Sequence, residues 1–360
     1  MTVPSPVMIM AGGTGGHIFP GLAVAEALRV RGVPVLWLGS EGGMETRLVP
    51  EHGIAIETLA IKGLRGKDLR SLLLAPWRIF TAVHKAMALI RRHKPAAVVS
   101  FGGYTAGPGG LAAWLQGRPL LVHEQNRAPG MTNRLLARIA DQVMTGFPDS
   151  FPGIESRVVG NPVRPEISAL PDPAIRFVGR DAALRVLILG GSQGARAINA
   201  ALPSVFAALQ PKQSFVIRHQ CGEKMLEEAR SAYAAAGVEA VIEPFIQDMA
   251  QAYGWADVVI GRAGALTVAE LCAAGVAGIL IPLPTAVDDH QAINAEYLQH
   301  SGGGVWFRQD EKLTKNLARE LANLANDPQR RLAMANAARA AAYPQAANDV
   351  VELIVREMAA

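Results

Sequence analysis

Scarcity sets the first limits on this chain. Only two cysteines, Cys221 and Cys272, occur in 360 residues, and no CxxC pair is among them. A disulfide scaffold and a thiolate metal knuckle are both excluded, and a reducing compartment is the natural setting. Aromatic residues are sparse at 6%. With Gly and Ala abundant, the mix suits helices packed closely on a sheet better than an all-β sandwich. No Asp-x-Asp triplet occurs anywhere. The commonest means of holding a divalent metal beside a nucleotide diphosphate is therefore missing, and no metal ligands are expected. The first residues lack both a basic n-region and a long apolar h-region, so no export signal is expected. The uncharged, strongly apolar run Leu271 to Val287 is broken by Gly275, Gly278, Pro282 and Pro284. It falls short of the ~20 residues that span a bilayer.

Half of the residues are hydrophobic, enough for two cores, and ~100–200 residues per domain makes two domains the expectation. Apolar runs at Val7–Ala11, Val35–Leu38, Ala96–Phe101, Leu120–His123 and Gln142–Thr145 read as buried strands separated by helical stretches. The pattern restarts at Val186–Leu189 and continues through Phe215–Arg218, Ala240–Ile242, Val258–Ile260 and Gly278–Ile281. Each half opens as strand, glycine loop, helix. That internal likeness predicts an α/β protein of two doubly wound parallel-sheet domains. Gly160–Arg185, with Pro162, Pro165, Pro171 and Pro173, reads as the linker. The expected domains are 1–162 and 163–342, with a terminal helix over 343–360 packing back toward the first. Pro344 predicts a kinked helix pair at the alanine-rich end, packing back across the domain junction. Charge is uneven: the chain carries a net +4, yet residues 1–162 hold +7 and the remainder −3. The first half thus favours an anionic partner: phosphates, an acidic membrane surface or nucleic acid.

The chemistry concentrates at strand ends. Gly12-Gly13-Thr14-Gly15-Gly16-His17 lies between a strand and a helix, where glycines bring backbone N–H groups and a helix start close to a phosphate or diphosphate. A merely tight βα turn is the plain alternative. The register is not the GxGxxG of dinucleotide-binding folds. Gly190 to Ala195 repeats the arrangement, and Ser192 adds a hydroxyl. Gly102–Gly110 follows another strand end, so it and Gly12–His17 should face one crevice. His123-Glu124-Gln125-Asn126 mimics a zinc HExxH but has Arg127 in fifth place, and the zinc reading fails. Ala265, Leu266, Thr267, Val268, Ala269 and Glu270 form a helix entry after Gly264. Glu270 can accept two ribose hydroxyl bonds or merely stabilise the helix dipole. Gln291 and Asn294 lie three apart on one helix face, where paired amides suit sugar hydroxyls, or simply follow an Asp-capped start.

Taken together in this order, these segments resemble the MurG family over essentially the whole chain. The resemblance rests on Gly12–His17 with Pro20-Gly21-Leu22-Ala23, Gly63-Leu64-Arg65-Gly66-Lys67, Gly102–Gly110 and His123–Asn126. It continues through Gly160-Asn161-Pro162-Val163-Arg164, Gly190–Ala195, Gly264–Glu270 and His290-Gln291. The resemblance implies a GT-B fold, two Rossmann-like domains facing a cleft. It implies an inverting transferase that moves GlcNAc from UDP-GlcNAc to lipid I, with no cofactor and no nucleic-acid partner. It also implies peripheral work at the cytoplasmic face of the inner membrane, beside other cell-wall or division proteins. Carried over by position, Thr14, Gly15, Gly16, Asn126, Arg164, Ser192, Ile246, Ala265–Glu270 and Gln291 look like donor-site residues. Ile246 would meet the uracil through its backbone, Glu270 the ribose and Gln291 the sugar. Arg262-Ala263 departs from the more frequent Arg-Ser.

His17 is similar to the family's proposed general base. A neutral imidazole there can take the acceptor hydroxyl's proton, or can instead bind the acceptor diphosphate. Glu124 is the next candidate base. Inversion asks for a single base opposite the leaving group, whose charge helix starts near Ala265 and Ser192 can stabilise. Two other classes share the fold features. A nicotinamide oxidoreductase would use Glu41 on the ribose, against the glycine register, and a sugar-nucleotide epimerase would act without an acceptor. Lys62 to Lys94 carries nine Lys or Arg and one acid, Asp68, interleaved with Leu73, Trp77 and Phe80. This stretch reads as a contact with an anionic bilayer, or as an amphipathic core helix with a solvated basic face.

Overall fold

The computed structural model of the protein describes residues 5–61, 75–180, 183–191 and 195–359. Gly63–Lys67, Leu73 and Ser192 lie outside the described residues. The chain divides into two compact units, Met1–Arg164 with Pro344–Ala360, and Pro165–Tyr343.

The first unit is built on a seven-stranded parallel sheet. Its strands are β1 (Val7–Ala11), β2 (Val35–Ser40), β3 (Ala55–Leu59), β4 (Ala97–Gly102), β5 (Leu120–Glu124), β6 (Gln142–Thr145) and β7 (Arg157–Val158). They lie in the order β3-β2-β1-β4-β5-β6-β7. Strand β1 explains why the sheet needs a helical layer on each face. Its Val7, Ile9 and Ala11 join one core cluster, while Met8 and Met10 join another. Alternate side chains point to opposite faces, and every one is buried, so the strand reads as an unbroken apolar run. The helices are α1 (Gly15–Val30), α2 (Glu45–Glu51), α3 (Ala75–His93), α4 (Ala106–Leu115) and α5 (Met131–Leu136).

The second unit repeats the plan with six parallel strands. These are β8 (Leu184–Leu189), β9 (Phe215–Gln220), β10 (Val241–Glu243), β11 (Val258–Gly261), β12 (Ala277–Leu280) and β13 (Gly304–Trp306), in the order β10-β9-β8-β11-β12-β13. In both sheets the strand order reverses beside the opening strand, between β1 and β4 and between β8 and β11. Open parallel sheets bind ligands at such switch points, beyond the carboxyl ends of the strands. Four short or medium helices open this unit: α6 (Pro165–Ser168), α7 (Pro173–Arg176), α8 (Arg196–Leu209) and α9 (Leu226–Ala235). Beyond them come α10 (Met249–Trp255), α11 (Ala265–Ala274), α12 (His290–His300), α13 (Leu313–Asn326) and α14 (Pro328–Ala340).

The proline-rich stretch after Gly160 is anchored rather than loose. Arg176 donates to Ala274 O and Gly275 O, each at 2.6 Å. Arg339 donates to Ala273 O, so two guanidiniums cover the carbonyls that end α11. Helix ends leave such carbonyls without partners, and cations suit the negative end of the dipole. Burial, then the neighbouring Arg180 and Arg339, pull Arg176 down to about 10, still protonated at neutral pH.

The chain ends in a pair of helices broken at Pro344, as the proline leads one to expect. Helix α14 stops at Ala340, Pro344 sits in the connection, and α15 (Ala346–Ala359) begins afresh. Val350, Val351, Leu353 and Ile354 of α15 belong to the same core cluster as β1 and α1. An ion pair of Arg31 with Glu352 at 3.9 Å and a hydrogen bond from Gln142 to Glu357 at 2.8 Å fix its rim.

Candidate active site

The expected meeting of the two glycine loops of the first unit is present. Gly103 has φ +96°, and a Cβ there would lie 2.6 Å from Gly12 O. Only glycine permits that approach and that backbone angle. Helix α1 starts at Gly15 with no side chain capping it. His17, in the first turn, faces back onto the loop, its Nδ1 3.0 Å from Gly12 O. A carbonyl can only accept, so Nδ1 carries the proton and Nε2 presents its lone pair. Nε2 lies over Gly102, 3.2 Å from where a Cβ would stand, with Asn133 on the same side. Thr14 is exposed, and Gly15, Gly16 and His17 are half-buried.

The His123–Asn126 segment is an organiser. His123 is fully buried. Its Nε2 donates to Gly160 O at 2.9 Å, and Gln125 Nε2 donates to its Nδ1 at 3.1 Å. Burial holds the imidazole down to about 4, hence neutral. Gln125 O in turn accepts from Asn161 Nδ2 at 2.9 Å, which joins this motif to Gly160–Arg164. Glu124 is 2% exposed. Its Oε1 accepts from Asn126 N at 2.9 Å and Nδ2 at 3.2 Å, and its Oε2 from Gly130 N at 3.1 Å and Asn133 Nδ2 at 3.0 Å. A carboxylate with four donors shapes its loop; it has little left for a substrate proton. Arg164 lays its guanidinium 5.7 Å from the centre of the Phe19 ring on α1, within cation–π range.

In the second unit the glycine loop after β8 is clamped by Gln220. Gly191 N donates to Gln220 Oε1 at 3.0 Å, and Gln220 Nε2 returns a bond to Gly191 O at 3.1 Å. Helix α11 opens at Ala265 behind an extended Gly264, again without a side-chain cap. Leu266, Thr267 and Ala269 are half-buried, and Val268 is inside the core. Glu270 is the sixth residue of the helix rather than part of its first turn, which weakens the dipole-stabilising reading. It is 6% exposed, and its Oε2 accepts from Tyr253 OH at 2.9 Å. Ile246 is buried.

Gln291 and Asn294 part company. Gln291 is half-buried and accepts from Leu283 N at 3.0 Å. Asn294 is fully buried, and its Nδ2 donates to Ala263 O at 3.2 Å. The paired-amide expectation does not fit a side chain held inside, tying α12 to the loop before α11. Asp288 and Asp289 precede them with φ +53° and +50°, a left-handed pair that asparagine and aspartate tolerate best. Neither cysteine is reactive: both are buried, and burial pushes the Cys272 thiol up to about 12. Among the described residues no group of three or more His, Cys, Asp or Glu is placed to hold a metal ion.

Four residues escaped the sequence reading: Glu45 under the first glycine loop, Asn133 beside His17, Gln220 under the second loop and Tyr253 on Glu270. Each is a lone polar residue whose partner lies far away in sequence, so no spacing signals it.

Two doubly wound units, each with a glycine loop at its switch point, define the GT-B class of glycosyltransferases. The model of the glycosyltransferase family 28 N-terminal domain matches residues 7–145, and that of its C-terminal domain matches residues 185–350. A protein of Xanthomonas axonopodis pv. citri (strain 306) is 61% identical over 98% of this chain and 82% of its own length. It is named UDP-N-acetylglucosamine--N-acetylmuramyl-(pentapeptide) pyrophosphoryl-undecaprenol N-acetylglucosamine transferase. A Xylella fastidiosa (strain M12) protein of the same name is 58% identical over 98% of this chain and 96% of its own. The crystal structure of Acinetobacter baumannii MurG is 42% identical and superposes with a TM-score of 0.85, covering 98% of this chain and all of that one. The chain belongs to glycosyltransferase family 28 and, within it, to the MurG family. The oxidoreductase and epimerase readings fall with that membership.

Proposed function

We propose that the protein is the N-acetylglucosaminyltransferase its relatives are named for, moving GlcNAc from UDP-GlcNAc to the MurNAc 4-hydroxyl of undecaprenyl-diphosphate-MurNAc-pentapeptide. The observation that carries this reading is 61% identity over 98% of the chain. The site chemistry supports it. His17 keeps its Nε2 lone pair for the acceptor hydroxyl's proton, and the sugar inverts because that single base works opposite the leaving group. The uncapped start of α11 receives the charge of departing UDP. Ser192, which lies outside the described residues, is assigned to the same charge through the family resemblance. Glu270 accepts the ribose hydroxyls, Ile246 meets the uracil, and Gln291 meets the sugar. Thr14, Gly15, Gly16, Asn126 and Arg164 complete the substrate contacts. Glu124 is reassigned from reserve base to loop organiser, and Asn294 from sugar ligand to positioning residue.

We further propose that residues 1–162 face the acceptor and the membrane, residues 163–342 bind the donor, and residues 343–360 return to the first domain. No helix among the described residues is long and apolar enough to cross a membrane. The acceptor's polyprenyl tail stays in the bilayer, so the enzyme works as a peripheral protein at the cytoplasmic face. Association with other cell-wall or division proteins follows from that place of work.

The deciding experiment is transfer of labelled GlcNAc from the UDP donor to a lipid I analogue, run with and without excess chelator. Transfer in both is expected. No transfer sinks the substrate assignment. A strict magnesium requirement sinks the proposed division of charge between backbone and side chains.

A further inference from the structure

Glu45 begins α2 and is completely buried. All three of its partners are donors, as a carboxylate requires. Oε1 accepts from Ser40 N at 2.8 Å and Ser40 Oγ at 2.6 Å, and Oε2 accepts from Gly13 N at 3.2 Å. Gly12, Gly39 and Gly43 crowd the side chain so closely that a Cβ on any of them would collide with it. Burying a carboxylate is costly unless it is well paired, so the charge calls for a reason.

The second unit supplies an internal comparison. There the same task, pinning the glycine loop after the opening strand, falls to the neutral amide of Gln220. The loop that receives a carboxylate instead is the one that carries His17. The Gly13 N–H that Glu45 accepts and the Gly12 C=O that His17 engages belong to one peptide group. Amide resonance couples the two ends of that group. A carboxylate pulling on the N–H places more negative charge on the carbonyl oxygen, and hydrogen bonds in series strengthen one another in a low-dielectric interior.

We propose that Glu45 is a positioning residue for His17, acting through the Gly12–Gly13 peptide. The chain runs Glu45 carboxylate, Gly13 N–H, Gly12 C=O, His17 Nδ1–H. It locks the tautomer and makes Nε2 the more basic nitrogen, the service a carboxylate gives a catalytic histidine when it touches the ring directly. The inference rests on the reading of His17 as the base.

Glu45→Gln in the full-length protein tests it, because the amide keeps an acceptor oxygen and loses the charge. The expected result is kcat lower by roughly 10- to 100-fold, with donor KM unchanged and the Nδ1–H proton resonance of His17 moved upfield. Glu45→Asp, which restores charge on a shorter arm, should recover part of kcat. In a His17→Ala background, Glu45→Gln should cost nothing further, since the two act as one unit. A folded Glu45→Gln that keeps wild-type kcat, or loses kcat with an unmoved Nδ1–H resonance, overturns the proposal. Should that variant fail to fold, the wild-type ring decides: nitrogen shifts showing the Nε2–H tautomer overturn it. If His17→Ala alone keeps kcat, the base reading fails instead, while the relay is still judged by the ring signal.

Discussion

A neutral imidazole has one nitrogen that donates and one that accepts, and the backbone settles which is which at His17. With Nδ1 engaged by Gly12 O, only Nε2 can take a proton from a sugar hydroxyl. His17→Ala should therefore lower kcat by roughly 10²–10⁴-fold with donor affinity held. A rise in acceptor KM at constant kcat would make His17 a diphosphate ligand. Glu270 poses the complementary question on the donor side. Its Oε2 accepts from Tyr253 OH, so the carboxylate proposed for the ribose hydroxyls is already oriented. Glu270→Ala should weaken UDP binding by about 1.5–3 kcal/mol, the range for hydrogen bonds to a charged group. Titration calorimetry with UDP measures it, and unchanged affinity would reduce Glu270 to a packing partner of Tyr253.

At the scale of the element, α3 is the informative helix. Its Trp77 and Phe80 are 65% and 52% exposed and stack with ring centres 5.7 Å apart. Ala82, Val83, Ala86 and Ile90 of the same helix are buried. The helix thus has both a core face and an exposed aromatic face, and its Arg78, Lys85, Arg91 and Arg92 are exposed as well. Trp114 and Leu115 on α4 and Met131 and Leu135 on α5 are exposed as well. Each Lys or Arg near an anionic surface contributes on the order of 1 kcal/mol. Vesicles rich in anionic lipid should sediment the protein at low salt and release it at high salt. Trp77→Ser with Phe80→Ser should weaken binding at every salt concentration. Equal binding to neutral and anionic vesicles would remove the electrostatic half of this contact. The buried face fits an amphipathic core helix with a solvated basic face, the membrane contact is for the vesicles to decide, and Leu73 lies outside the described residues.

Elements were legible where burial is two-sided. Strands β1, β4, β5, β8, β11 and β12 announce themselves as apolar runs because both faces meet helices. The sequence reading passed over β3, β7 and β13, and the reason is their place in the sheet. Edge and near-edge strands are short and half-covered: β3 reads Ala-Ile-Glu-Thr-Leu, and β7 is two exposed residues. The glycine loops and their shared corner were also legible, since glycine, placed after a strand, has few other uses. What holds those loops was not. Glu45 reaches its loop through one hydrogen bond and Gln220 through two, across 32 and 29 residues of sequence, and a lone polar residue in sequence points nowhere.

For the whole molecule, acid is the condition to watch. Each unit buries one neutral histidine: His123 in the first, and in the second His219, between Asn199 Oδ1 at 3.0 Å and Tyr233 OH at 3.0 Å. Burial lowers both to about 4 from 6.5. The unfolded chain therefore takes up these protons first as pH falls. The stabilisation is fully present above about pH 6.5 and is lost progressively toward pH 4, worth roughly 3 kcal/mol per histidine by linkage. Urea midpoints should be level near neutrality and fall steeply between pH 6.5 and 4. His219→Phe should flatten part of that fall. A wild-type midpoint constant across this window would show that both rings take up protons in the folded protein as readily as in the unfolded chain.

Helix α15 has a consequence for the order in which the protein comes into being. Its four apolar side chains complete the core that β1 and α1 begin, yet 179 residues of the second unit, Pro165–Tyr343, are translated before it. The domain made first is therefore finished last. While the ribosome works through the second unit, the first must wait with an apolar furrow along α1 open to water and to other chains. That interval, not any feature of the finished enzyme, is when the nascent protein is most exposed to chaperones and to aggregation.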